Sequence, residues 1–204
     1  SLLNGGSYTN TVAMKAETGE TKWLKASYVN VLNGSNSEIH AIYHDVTEQE
    51  NAVFSGKAIT DALNKSMAVI EFEPDGTIVT ANENFTATVK YSLDEIKGKH
   101  HRMFCKDDFY QNNPQFWQSL ANGQFSSGTF ERINADRDTL WLEATYNPVF
   151  DGTGKVVKVI KFASDVTAQV QEKHAISQAA ELAVSTAEET SQIAADGASS
   201  LQRS

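Results

Sequence analysis

The chain has 204 residues, 40% of them hydrophobic and 21% charged, the profile of a globular protein of at most two ordinary domains rather than a disordered, collagen-like or disulfide-rich one. With 17 Lys and Arg against 26 Asp and Glu, the net charge of −9 opposes the field that attracts nucleic acid or anionic lipid, so neither is an expected partner. The best apolar run, 156–163, carries Lys158 and Lys161 and falls far short of the roughly 20 residues of a membrane span, while a lone Cys105 and the lack of a signal-peptide pattern fit a reducing cytoplasm.

Residues 1–47 read as the last part of a first domain, because their pattern returns later in the chain. Leu2, Asn4, Gly5, Thr21, Trp23, Leu24, Ala26, Tyr28, Val31 and Gly34 recur 118 positions on, without a gap, as Leu120, Asn122, Gly123, Thr139, Trp141, Leu142, Ala144, Tyr146, Val149 and Gly152. Asp45, Val46 and Thr47 then recur as Asp165, Val166 and Thr167 after a shift of two. A period this long is a small domain plus its linker, not a solenoid unit. His40 and His44, in the last strand of this first copy, read as edge or surface residues. Residues 48–64 have helical composition and form a helical linker.

The complete copy runs over 65–167. Val69 to Phe72 and Thr77 to Ala81 are short strands joined through Pro74, Asp75 and Gly76, the residues of a tight hairpin turn. Ser92 with Glu95 forms a capping box, Gly98 a stop, and Asn113 before Pro114 an expected N-cap for a helix burying Phe116, Trp117 and Leu120. Strands are expected over 125–133, 139–150 and 155–163, the last pair joined by Asp151, Gly152, Thr153 and Gly154. Two strands, several short helices and three strands make an α+β fold, a five-stranded antiparallel sheet with helices on one face. From Ala168 to Ser204 there is no proline and no aromatic residue. Ile176, Ala179, Ala183, Thr186, Thr190, Ile193, Gly197 and Ser200 take a heptad-like spacing, which predicts a long coiled-coil helix and a homodimer.

This order, with Ala81-Asn82-Glu83-Asn84-Phe85, then Tyr91, Ser92, Glu95 and Gly98, then Phe116, Trp117 and Gly123, then Trp141, Leu142, Ala144, Tyr146, Asn147 and Pro148, resembles the PAS domains of Aer-type aerotaxis receptors and of soluble PAS-containing methyl-accepting chemotaxis proteins. Asp165-Val166-Thr167 resembles the usual PAS exit into a signalling helix. The resemblance implies tandem PAS domains, the first truncated, leading into the start of a chemoreceptor helix at 168. It implies a cytoplasmic sensory segment that detects redox state or oxygen through a bound cofactor and reaches a chemotaxis kinase and coupling protein through the rest of the receptor. A cofactor-free dimerisation and relay module is the alternative.

For site residues, Asn82 reads first as an N-cap and, by the resemblance, as a flavin (FAD) contact. Trp117 reads as a core indole and, by the resemblance, as a wall of the flavin pocket. At Cys105 and Lys106 the sequence departs from Aer, which has a basic residue followed by a histidine. His100, His101 and Cys105 carry the haem reading, since one imidazole or thiolate suffices as axial ligand and haem PAS domains place theirs in this region; otherwise the two histidines are solvated residues after the Gly98 stop. Adjacent histidines with no second cysteine make no zinc site. No nucleophile, base and orienter stand together, and His174 lies in no phosphoacceptor context, so no catalytic residue and no enzyme activity are expected. Glu188 and Glu189, flanked by Ser185, Thr186, Ala187, Thr190 and Ser191, resemble a chemoreceptor methylation site or, more plainly, a solvated acidic face.

Overall fold

The computed structural model describes residues 7–33 and 36–202, which fall into two compact units, 1–62 and 63–204. Leu2, Asn4, Gly5 and Gly34 of the repeat lie outside the described residues, as do the burial of Gly197 and the side chain of Ser200. In the first unit, β1 (Ser7–Lys15), β2 (Thr21–Asn33) and β3 (Asn36–Asp45) form an antiparallel meander in the order β1-β2-β3. Ala26 is buried, but Tyr8, Met14, Ile39, Ile42 and Tyr43 are all more than half exposed. Helix α1 (Thr47–Ser66) follows, with no buried residue.

The second unit opens with β4 (Ala68–Phe72) and β5 (Ile78–Ala81), continues through helices α2 (Glu83–Val89), α3 (Leu93–Ile96), α4 (Asp107–Asn112) and α5 (Phe116–Ala121), and closes with β6 (Ser126–Ile133), β7 (Thr139–Phe150) and β8 (Val156–Asp165). Its sheet runs β5-β4-β8-β7-β6, antiparallel at every pairing. The order β6-β7-β8 matches β1-β2-β3, so the sequence repeat is a repeat of strand order. Inward positions alternate along each strand, as period-2 geometry demands: Leu140, Leu142, Ala144 and Tyr146 on β7, and Val159, Lys161 and Ala163 on β8, are buried. Phe72, Phe85, Ile96, Phe104 and Leu120 fill the layer between sheet and helices. Each apolar side chain of that size contributes about 1.5–3 kcal/mol through burial.

Local signals set the helix ends. Asn82 caps α2, and Ser92 with Glu95 forms the expected capping box of α3. The predicted role of Asn113 is corrected. It is the C-cap of α4, its N–H and side-chain amide both donating to Phe109 O at 2.9 Å, and α5 begins only at Phe116. The Asn113 amide is held by the preceding helix, and the N-cap of α5 is Gln115. Helix α6 (Thr167–Gln202), 36 residues long, ends the chain. No described helix is long and apolar enough to cross a membrane.

Candidate functional site

The β4–β5 hairpin and the segment after α3 together place two histidines. Gly76, at φ +94, turns the hairpin, and Glu73 N–H donates to Thr77 O at 2.8 Å. The chain leaving α3 then pairs along β5: Ile78 N–H donates to Lys99 O, Gly98 N–H to Ile78 O and His101 N–H to Gly76 O. This bridge covers the sheet edge and starts a 3₁₀ turn, His101–Phe104, that sends successive side chains in opposite directions. His100 stays near the surface. Its Nε2 lies 2.9 Å from Asp75 O, and its Nδ1 accepts from Arg102 N–H at 3.1 Å, so both ring nitrogens are occupied.

His101 goes inward and is 0% exposed, which overturns the solvated reading of this residue. Its Nδ1 lies 2.8 Å from the Tyr110 hydroxyl and its Nε2 3.0 Å from the Tyr146 hydroxyl. The ring stacks on Phe116 at 16° and meets Phe72, Trp117 and Tyr146 edge-on at 5.4–5.7 Å. Burial, reinforced by the charges of Arg132 and Lys161, holds the imidazole pKa well below its ordinary value. The ring is therefore neutral, donating through one nitrogen and accepting through the other, and either tautomer satisfies both tyrosines.

The tyrosines extend the network. Tyr110 Oη accepts from Trp117 Nε1 at 2.9 Å, and Tyr146 Oη from Arg132 Nη2 at 3.2 Å. Burial raises both phenol pKa values, that of Tyr146 to about 12 despite Arg132, so both remain protonated at neutral pH. The Cys105 thiol, 3.6 Å from His101 Nδ1, is pushed up by burial and is correspondingly poor as a thiolate ligand.

The other residues singled out in the sequence stand apart from this cluster. Asn82 Oδ1 accepts from Val69 N–H and Phe85 N–H, both at 2.9 Å, and its amide donates to Asn64 O and Met67 O at 3.0 and 2.8 Å. Four backbone groups use the whole side chain, which ties the linker to the hairpin and to α2. Trp117 is 8% exposed and stands over the hairpin: a Cβ added at Gly76 would lie 2.4 Å from its Cε2. Glu188 and Glu189 are exposed on α6, and His40 and His44 are exposed on β3. Among the described residues no group of three or more His, Cys, Asp or Glu side chains could hold a metal ion.

Tyr110, Arg132 and Lys161 were missed in the sequence as site residues, and Tyr146 was noted for its repetition and among the residues of the PAS resemblance, not as a site residue. Lys161 had a signal: it shares parity with Val159 and Ala163 on a strand that is otherwise apolar inward.

A second constellation joins sheet to helix. Trp141 N–H, on β7, donates to Thr167 Oγ1 at 2.9 Å; that hydroxyl donates to Asp165 Oδ1, and Val166 N–H returns to Trp141 O at 2.8 Å. The first unit repeats it: Trp23 N–H to Thr47 Oγ1 at 2.9 Å, the hydroxyl to Asp45 Oδ1, and Val46 N–H to Trp23 O. The two hydrogen bonds from Thr47, with Lys22 beside them, pull the Asp45 carboxyl down to about 2.

Residues 78–163 match the family model described as PAS fold. The chain is 35% identical over 213 aligned positions to Biofilm dispersion protein BdlA of Pseudomonas aeruginosa, an alignment that takes in 98% of this chain and 49% of that protein. It is 23% identical over 96 positions to the Bacterioopsin transcriptional activator of Halobacterium salinarum, covering 47% of this chain and 14% of that one. Among solved structures, an RNA-binding Light-Oxygen-Voltage receptor superposes with a TM-score of 0.50 at 13% identity, over 88% of this chain and 84% of its own, a likeness of fold. The chain thus spans about half the length of the first relative, or less of the second. Sheet order, helix set and family match agree: residues 78–163 have the PAS fold, and the chain is similar over nearly its whole length to Biofilm dispersion protein BdlA.

Proposed function

We propose that the chain is the sensory input segment of a chemotaxis-type receptor, in which the PAS domain detects a ligand or redox change and passes it to α6. The observation that carries this reading is that one strand holds both ends of the path. β7 bears Tyr146, bonded to His101 in the interior, and Trp141, bonded to Thr167 at the start of α6. A change that breaks the His101–Tyr146 contact displaces β7, and the Thr167 hydroxyl transmits the displacement to the helix. The matching clamp at Trp23 and Thr47 supports a tandem arrangement in which each unit feeds the helix that follows it. The small-residue stripe of α6 supports a parallel dimer, and on that reading Glu188 and Glu189 are adaptation sites on its solvent side.

Either cofactor would displace hydrogen bonds that the interior already makes, at Asn82 for flavin and at His101 for haem. The flavin contact expected of Asn82 competes with four backbone hydrogen bonds. A neutral imidazole is the form in which histidine ligates iron, and His101 supplies it within aromatic walls, its two nitrogens held by the Tyr110 and Tyr146 hydroxyls, just as both nitrogens of His100 are engaged. When bound, haem supplies an iron that takes up a diatomic gas or changes charge by one electron. His101 would hold it, with Tyr110 and Tyr146 released from the ring nitrogens and Trp117 closing the side toward the hairpin. The absorption spectrum of the purified chain, before and after reconstitution, tests the assignment. A Soret band lost in His101→Ala is expected; flavin bands place the chromophore against Trp117 instead, and no pigment under any reconstitution leaves the cofactor-free relay.

A further inference from the structure

The interior of the PAS domain is electrostatically one-sided. Arg132 is 1% exposed and Lys161 2%, and among the described residues no Asp or Glu is buried. The acids of this unit that form ion pairs serve lysines nearer the surface: Asp136 and Asp138 with Lys90, Glu131 with Lys106, and Glu71 with Lys158. Arg132 Nη1 donates to Glu131 O and Nη2 to Tyr146 Oη, but Nε is buried with no hydrogen-bond partner. Lys161 Nζ lies over the rings of Tyr146, at 5.0 Å, and Phe85, at 5.7 Å, and forms no ion pair among the described residues. A buried cation without an anion is held at a large desolvation cost, which is why buried charges are ordinarily paired. Burial and the nearby Arg132 push the Lys161 pKa well below its ordinary value, the response expected of a site short of negative charge.

Arg132 also borders open space. Its guanidinium lies between the rings of Phe109, at 4.3 Å, and Phe130, at 5.0 Å, and these three residues with Asn112, Thr129 and Lys106 line a cleft of about 300 Å³ between α4 and β6. That volume is at the lower end of small-molecule sites. The walls pair aromatic faces with amide and hydroxyl groups. Asp108 and Glu131 stand there too, and they select against a second negative charge on the ligand.

We propose that this cleft binds a small organic monocarboxylate, whose anion takes the unbonded Arg132 Nε–H and supplies the negative charge that Arg132 and Lys161 lack. The proposal deepens the sensory reading, since Arg132 also holds Tyr146 and an anion drawing on Arg132 acts on the same hydroxyl that His101 shares. Two sources offer this chemistry: a free monocarboxylic acid, and the carboxylate arm of a tetrapyrrole cofactor.

Nuclear magnetic resonance of the full chain reads the Arg132 Nε–Hε signal directly. Titration of pigment-free protein with acetate, butyrate and lactate tests the free acid; comparison of haem with its dimethyl ester, which has no free carboxylate, tests the cofactor arm. A saturable shift of that signal with an acid, or tighter binding of haem than of its ester, is expected. Arg132→Met should weaken either by about tenfold or more, as for a lost charge-assisted hydrogen bond, with Lys90→Met unchanged. No saturable shift with any of the acids, together with equal binding of haem and ester, overturns the proposal, as does an equal shift with inorganic phosphate. Should Arg132→Met fail to fold, the wild-type signal decides alone. The helix readouts that test the relay are separate measurements, so either reading can fail without the other.

Discussion

The backbone N–H of Trp141 and the hydroxyl of Thr167 meet at 2.9 Å, fastening β7 of the second unit's sheet to the first residue of α6. The hydroxyl accepts that bond and donates to Asp165 at the same time, so its removal leaves the Trp141 N–H without its partner, while Asp165 Oδ1 keeps the Thr167 N–H. Thr167→Val keeps the shape and should cost about 1–3 kcal/mol, chiefly by leaving the Trp141 N–H unpaired. Thr167→Ser should restore most of it. Urea melts give the cost, and hydrogen exchange should show faster exchange confined to the Trp141 amide and the first turns of α6. Unchanged exchange there would remove the junction from the relay.

The His101 imidazole gives the domain a pH dependence. Its folded pKa lies below the unfolded value of about 6.5, so on acidification the unfolded chain takes up a proton that the native ring refuses. This contribution is fully present above about pH 6.5 and is lost as pH falls, at up to about 1.4 kcal/mol per pH unit until the folded pKa is reached. Denaturation curves between pH 7.5 and about 5 should therefore be steeper in pH for the native sequence than for His101→Phe. Parallel curves would mean that the ring accepts its proton while folded.

Gly76 and Trp117 form a steric pair. Gly76→Ala places a Cβ 2.4 Å from Trp117 Cε2 at a backbone φ of +94. Left-handed strain of about 1–2 kcal/mol adds to overpacking of about 1–3, for a loss of roughly 2–5 kcal/mol. Trp117→Ala alone should cost about 3–5 kcal/mol, as for a large core side chain. The two losses should add to more than the double variant shows, because Trp117→Ala removes the clash with the indole and leaves that with His100 Nε2 at 2.7 Å; thermal melts of all four proteins measure the coupling.

Helix α6 presents Ala179, Ala183, Thr186 and Thr190 on one face, with Ile176 and Ile193 64% and 66% exposed. An exposed single helix of this length has little to hold it without a partner. Sedimentation should find the full chain dimeric, and a chain ending at Ala168 monomeric, at concentrations of about tens of micromolar. Glu188→Gln with Glu189→Gln should tighten the dimer by a few tenths of a kcal/mol by relieving like-charge repulsion. A full chain that stays monomeric would sink the coiled-coil reading.

What the sequence determined by itself was everything encoded within a few residues or by repetition. The hairpin through Pro74, Asp75 and Gly76, the Ser92–Glu95 box, the three closing strands, the long final helix and the two Asp-Val-Thr exits follow from turn chemistry, capping and period-2 patterning, which act over short distances. Asn113 shows the limit even there, because whether its amide serves the helix behind or ahead depends on backbone angles that composition does not set. Only the tertiary structure decided which of two adjacent histidines is buried, since that turns on the bridge that Gly98 to His101 makes with β5. It also decided the partners: Tyr146 lies 45 positions from His101, and Arg132 is 31 positions from it. A polar group becomes costly, and hence informative, only when packing removes its water, and that is a property of the assembled sheet and helices rather than of any segment of the chain.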